Sequence, residues 1–192
     1  MNEFLFLDVD DVLNSEEFLR ENSVRENDVD PDEHPGEWID PKAVERVNKI
    51  MDRTDTYPEI ILSSSWRHSF DVTEMTDILR DRGFNHNVSD KTPGRPKRIR
   101  HVHARPKVPV RDRGVHIKNF LKHKRSVSSV ESVLVLDNLP LEELEPLEDY
   151  VVQTEPEHGL QDEHVEKALD ILEKTPSFEW LEEPTTTGKP EL

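Results

Sequence analysis

The chain has 192 residues and a mass of 22.4 kDa, enough for one domain with a real core. At 33% hydrophobic and 35% charged residues that core must be compact, the absence of cysteine excludes disulfides and thiolate-bound zinc, and no apolar stretch approaches a membrane span. The net charge of −17 hides an asymmetry: residues 91–125 hold 13 Lys or Arg and one acid, Asp112, against 12 basic and 41 acidic residues elsewhere, a separation that points to partners.

Phe4-Leu5-Phe6-Leu7 opens the chain as a strand, with no signal-peptide pattern before it, so a soluble, cytoplasmic protein is expected. The strand runs directly into Asp8-Val9-Asp10. Residues 15–40 are rich in acids and poor in apolar residues, and read as an excursion outside the core: a flap or minimal cap, or a disordered segment. Asp40-Pro41 is an N-cap followed by proline, and Val44, Val47 and Met51 predict a helix over 41–53. Glu59–Leu62 is a second strand, ending at Ser63-Ser64-Ser65-Trp66-Arg67. Val72, Met75 and Leu79 mark a helix that stops before Gly83.

The prolines between residues 91 and 111 predict a basic loop, after which Asp112 can cap a helix carrying Ile117, Phe120 and Leu121. Val133–Leu136 is a third strand, leading into Asp137-Asn138, and Tyr150–Gln153 a fourth. Val165, Ala168, Leu169 and Leu172 place a last helix, and residues 176–192 read as a flexible tail. Alternating strands and helices argue for an α/β fold: a Rossmann-like, mostly parallel sheet covered on both faces, in a single domain over 1–175.

Each strand tip carries a residue suited to phosphoryl chemistry. Two aspartates separated by one residue aim the same way along extended chain, so one can attack phosphorus while the other manages protons. Such a group needs cationic charge, which Mg2+ on oxygen ligands supplies, and Asp137 is a suitable third carboxylate. A hydroxyl at the Ser63-Ser64 tip and a cation from the helix beginning near Asp112 can bind phosphoryl oxygens. Trp66 reads as core, and Arg67 as either a structural ion pair or a site residue. His101, His103, His116 and His123 lack zinc-site spacing.

These motifs, with Arg113-Gly114 ahead of Ile117 and Leu121, and Gln153-Thr154 ahead of Gly159-Leu160, resemble the haloacid dehalogenase (HAD) phosphatase superfamily. Within it, the chain is similar to the HAD-like domain of Swiss Army Knife RNA repair proteins. The resemblance implies Mg2+-dependent phosphoryl hydrolysis, with Asp8 as the nucleophile and Asp10 as the acid and then base. Asp137 would hold Mg2+ with Asp8 and the backbone carbonyl of Asp10. Ser64 is the first choice for the phosphate-binding hydroxyl and Ser63 the second. Arg113 stands where the family has Lys, with Lys118 as the second candidate. Two departures are apparent: Asp11 where the family has Gly, and Asn138 where a second acid is common, which together imply weaker metal binding.

The substrate is expected to be phosphorylated. The basic segment 91–125 and the family's repair context suggest nucleotide or nucleic-acid terminal phosphates, although the same segment can instead dock on the acidic excursion. A receiver-like phosphoacceptor module and a catalytically idle HAD-like binding domain are the alternatives.

Overall fold

The computed structural model describes residues 2–55, 57–93, 113–125, 129–174 and 176. The basic stretch 94–111, the Asp112 cap, His101 and His103, and the tail beyond 176 lie outside the described residues.

Five strands form one parallel sheet: β1 (Asn2–Leu7), β2 (Glu59–Leu62), β3 (Val88–Lys91), β4 (Val130–Asp137) and β5 (Val151–Gln153), in the order β3-β2-β1-β4-β5. Phe4, Leu5, Phe6 and Leu7 are all buried although successive side chains point to opposite faces, so both faces of the sheet are covered. The helices are α1 (Glu16–Glu21), α2 (Pro41–Arg53), α3 (Val72–Arg80), α4 (Arg113–Arg125) and α5 (Asp162–Leu172). Among these described residues, no helix is long and apolar enough to cross a membrane.

The fold class is the expected one, with one strand more than the sequence suggested. β3 reads Val-Ser-Asp-Lys, a short edge strand with Val88 as its only apolar residue, too polar to stand out beside its buried neighbours. Lys91, expected to open the basic loop, is its last residue.

The acidic excursion is folded. Ser15 caps α1 by accepting from the Phe18 amide, and Leu19, Val24 and Ile39 are buried. The amides of Glu16 and Glu17 donate to the carbonyls of Pro156 and Glu157, and Arg20 pairs with Glu157 at 2.9 Å. Its acidic surface is therefore laid against the turn that follows β5, while Ile39 belongs to the core.

Chain order reverses between β1 and β4. The chain adds strands in one direction from β1 to β3, then crosses back to β4 on the other side of β1. In open α/β sheets the crevice at such a switch point, at the carboxyl ends of the strands, is where ligands bind. The strand tips there are Asp8 and Asp137.

Candidate active site

The ladder of the sheet continues one residue past the strands. The amides of Thr92, Ser63, Asp8 and Thr154 donate to the carbonyls of Leu62, Leu7, Leu136 and Asp137, at 2.8–3.0 Å. A row of polar residues, Thr92, Ser63, Asp8, Asp137 and Thr154, is thereby buried along the edge where the strands end. Burying polar side chains in such a row is unfavourable unless they find partners, from the protein or from a ligand.

Asp8 and Asp137 share a partner. Arg113, the first residue of α4, donates from one nitrogen, Nη1, to Oδ2 of Asp8 and to Oδ2 of Asp137, the latter at 2.8 Å. Two packing contacts set this position. Phe120 meets the rings of Phe4 and Phe6 edge-on, each at 5.5 Å, which seats α4 on the face of β1. At Gly114 a Cβ would lie 3.0 Å from the Glu143 carbonyl and 3.2 Å from the Leu144 Cα, so glycine permits the close approach to the segment after β4. Lys118 lies five residues further along, roughly 140° around the helix axis from Arg113, so the helix does not bring both to the same carboxylates. Of the two cation candidates, Arg113 is the one at the aspartates.

One positive charge sits against two buried carboxylates. Burial pushes the Asp8 carboxyl up to about 7; Arg113 opposes this, and the charges of Asp137 and Asp10 add to it. Asp137 is raised by burial too, against Arg113 and the amide of Leu139. For Arg113, burial favours the neutral form, but the two aspartates outweigh it and hold the guanidinium charged. Arg113 alone does not balance the two carboxylates it contacts.

Asp10 lies close enough for its charge to act on Asp8 but has its own side-chain partners. Its carboxylate is exposed and accepts from Ser65 Oγ and from the Trp66 indole N–H, both at 3.1 Å. Asp8 and Asp137 are thus joined through Arg113, while the Asp10 carboxylate is held by Ser65 and Trp66. Among the described residues, no group of three or more His, Cys, Asp or Glu side chains is placed to hold a metal ion. Trp66 is buried in the core as expected, and its polar edge has the further task of orienting Asp10. Neither Ser65 nor Trp66 carries a motif signal for that role, because the contact exists only once β2 lies beside β1.

The three serines separate by geometry. Ser64, the first choice from sequence, caps a short 3-10 helix over Ser65–His68 by accepting from the Trp66 amide at 3.4 Å. Ser63 stands at the strand tip, hydrogen-bonded through its amide to the Leu7 carbonyl, and its hydroxyl is buried without a hydrogen-bond partner. Ser63, the second choice from sequence, is thus the serine whose hydroxyl has no partner among the described residues, while Ser64 Oγ accepts from the Trp66 amide.

The two departures from the family pattern answer each other. Asp11 has a φ of 61°, the left-handed region that favours glycine. Its amide donates to Asn14 Oδ1 at 2.8 Å, its carbonyl accepts from Thr154 Oγ1 at 2.8 Å, and its carboxylate accepts from Asn138 Nδ2 at 2.8 Å. An acid at 138 would face the Asp11 carboxylate; the amide of Asn138 turns that repulsion into a hydrogen bond. Asp11 is held back toward Asn138 and the turn is intact.

The sequence from residue 4 to residue 165 matches the family described as the HAD domain in Swiss Army Knife RNA repair proteins. No curated protein and no solved structure gives a significant match. A match over this much of the chain, on a parallel sheet with the acidic tips at its switch point, places it by descent: the chain belongs to the HAD domain family of Swiss Army Knife RNA repair proteins.

Proposed function

We propose that this chain is a Mg2+-dependent phosphatase that works through an aspartyl phosphate on Asp8. The observation that carries the reading is the pair of buried carboxylates at the switch point, sharing one guanidinium nitrogen beside a serine hydroxyl without a partner. Asp8 attacks phosphorus, forming the Asp8–phosphorus bond as the bond to the leaving oxygen breaks, and Asp10 gives that oxygen its proton. Asp10 then takes a proton from the water that attacks the aspartyl phosphate, which releases phosphate and restores Asp8. Ser65 and Trp66 keep Asp10 aimed through both steps. Ser63 and Arg113 hold phosphoryl oxygens where negative charge accumulates.

The residues fit Mg2+. Its protein sites commonly use one or two carboxylates with several waters kept, and this donor set is all oxygen with a charge deficit of one. Asp8 and Asp137 would hold it, with the Asp10 carbonyl as the resemblance implies. When bound it supplies the positive charge that lets both aspartates ionise beside a phosphate dianion. The substrate class is terminal phosphates of nucleotides or nucleic acids, supported by the family's repair context and the basic segment 91–125. Hydrolysis of an aryl phosphate with Mg2+, lost with EDTA, tests the reaction. A panel of 3′- and 5′-phosphorylated oligonucleotides tests the substrate class, and no turnover on any member would overturn it.

The charge deficit makes metal binding depend on pH. The Asp8 pKa is raised on folding, so in the metal-free protein its contribution to stability is full in acid and is lost as pH rises through about 7. Mg2+ requires the ionised form, so it displaces a proton below neutrality. The rise in melting temperature on adding Mg2+ is expected to be larger at about pH 8 than at about pH 6, by up to roughly tenfold in affinity per pH unit. An equal or smaller rise at the higher pH would contradict this.

The two serines give a paired test. Ser63→Ala is expected to lower kcat/KM by about 10²-fold, the range for one donor to a developing oxyanion. Ser64→Ala removes only a cap, with a stability loss of about 1 kcal/mol and kcat/KM nearly unchanged. Steady-state kinetics and urea unfolding of both variants separate the roles, and the reverse pattern would restore Ser64 as the phosphate ligand.

A further inference from the structure

Arg67 has no task in the reaction described above, yet it is built into the same site. Its guanidinium is half-buried: Nη1 donates to the Ser64 carbonyl and Nη2 to His116 Nδ1 at 3.2 Å, while Nε is buried with no hydrogen-bond partner. His116 lies one turn beyond Arg113 on α4, so it brings Arg67 to the same side of that helix. Among the described residues no carboxylate pairs with Arg67, unlike Arg113, which has two. Burial and then the charge of Arg113 push the Arg67 pKa down to about 10, with Asp8 pulling the other way, which places the guanidinium within the field of both.

A partly desolvated cation beside a second cation, with no paired carboxylate and an unmet donor among the described residues, is an unfavourable arrangement left to itself. It does not reflect a loose loop. Lys91 on β3 donates to the carbonyls of Arg67 and Phe70, at 2.9 and 3.3 Å, and Ser64 caps the helical turn at the other end. The loop is therefore tied on both sides while holding two buried groups without partners, the Ser63 hydroxyl and Arg67 Nε. Both are donors, Ser63 at the tip of the strand next to the Asp8 strand and Arg67 in the 3-10 turn that follows it. What they lack in common is an acceptor with negative charge.

We infer that Arg67 is a substrate-binding residue, whose guanidinium takes an oxygen of the substrate's phosphate alongside the Ser63 hydroxyl. The identity of the anion rests on the phosphatase reading. Arg67 then does for the incoming phosphate what Arg113 does for the two aspartates: it supplies a fixed positive charge at the place where the anion must sit. Because no carboxylate among the described residues pairs with the cation, the interaction strengthens binding without first having to be broken.

The test is calorimetric titration of inorganic phosphate into the Mg2+-loaded protein, its Arg67→Gln variant and its Arg67→Lys variant, with melting curves taken without phosphate. Arg67→Gln is expected to weaken phosphate by about tenfold or more, since a charge-assisted hydrogen bond is lost, while its phosphate-free melting temperature equals or exceeds that of the unaltered protein. A Gln variant that keeps phosphate affinity within about twofold, or that does not fold, would overturn the inference and make Arg67 a strut between Ser64 and His116. If affinity and stability fall together, the Lys variant decides: recovery of most of the phosphate affinity supports the inference, and none contradicts it. Failure of the phosphatase reading looks different, as Arg67-dependent phosphate binding in a protein that hydrolyses no phosphate ester. A protein that binds no phosphate at all would overturn the assignment of Arg67.

Discussion

Asp8→Asn is expected to lower phosphate-ester hydrolysis by about 10⁴-fold or more, because it removes the atom that forms the covalent bond to phosphorus. The fold is expected to survive. The Asn side-chain oxygen can still accept from the Val9 amide, as Asp8 Oδ1 does at 2.8 Å, and Arg113 keeps Asp137 as a partner. Removing one of two buried carboxylates also relieves their mutual repulsion, so the metal-free melting temperature should stay level or rise. Asp10→Asn should lower the rate less, by about 10²- to 10⁴-fold, and more for an alkyl phosphate than for a nitrophenyl phosphate whose leaving group needs little protonation. Hydrolysis at the unaltered rate by the Asp8→Asn variant would remove Asp8 as the nucleophile.

Arg113→Ala should be the most damaging change to stability within the site. It leaves Asp8 and Asp137 buried with no cation, a situation that ordinarily destabilises by about 3–5 kcal/mol. The loss has a predictable pH dependence. The Asp8 carboxyl is raised to about 7 and that of Asp137 is raised too, so in acid Asp8 is protonated and the pair needs Arg113 less. The stability difference between the two proteins should therefore be small at about pH 5 and grow as pH rises through about 7. Arg113→Lys should restore much of the stability, since one nitrogen of Arg113 contacts both carboxylates and an ammonium can stand in that position. Urea unfolding in metal-free buffer at both pH values measures this. An alanine variant as stable as the parent at about pH 8 would show that the guanidinium does not hold the pair together.

Much of this was legible in the chain because the buried parallel strands are nearly continuous apolar runs. Phe4–Leu7, Ile60–Leu62 and Val133–Leu136 each end abruptly on a polar residue, which locates both the strands and the edge where chemistry gathers. Asp8 and Asp137 could be named for that reason, and Arg113 from the resemblance, which places a cation near the start of a helix. Other features depended on which strands are neighbours. The hydrogen bonds from Ser65 and Trp66 to Asp10, and from Asn138 to Asp11, join residues 55, 56 and 127 positions apart, and no local pattern announces them. Ser63 and Ser64 are equivalent as letters; only the capping bond of Ser64 to the Trp66 amide separates them. The polar edge strand β3 and the burial of Leu19 and Val24 within an acidic stretch were hidden for a related reason. In both, a few apolar contacts outweigh a composition that reads as loop.

The turn after β1 bears on the weaker-metal expectation. Leu160 donates its amide to the Val12 carbonyl, and Thr154 its hydroxyl to the Asp11 carbonyl, so the turn carrying Asp11 is braced from the β5 side. With Asn138 holding the Asp11 carboxylate, the extra acid is tied to a neutral partner. Asp11 and Asn138 are thus joined by a hydrogen bond in a braced turn.

The central claim is that Asp8 becomes covalently phosphorylated during turnover. Mg2+-loaded protein supplied with an aryl phosphate, quenched in acid, reduced with borohydride and digested for mass spectrometry would locate the acyl phosphate directly. Modification is expected at Asp8 in the parent protein and absent from that position in the Asp8→Asn variant; modification at any other aspartate, or none in a sample that is turning over, would remove Asp8 as the nucleophile.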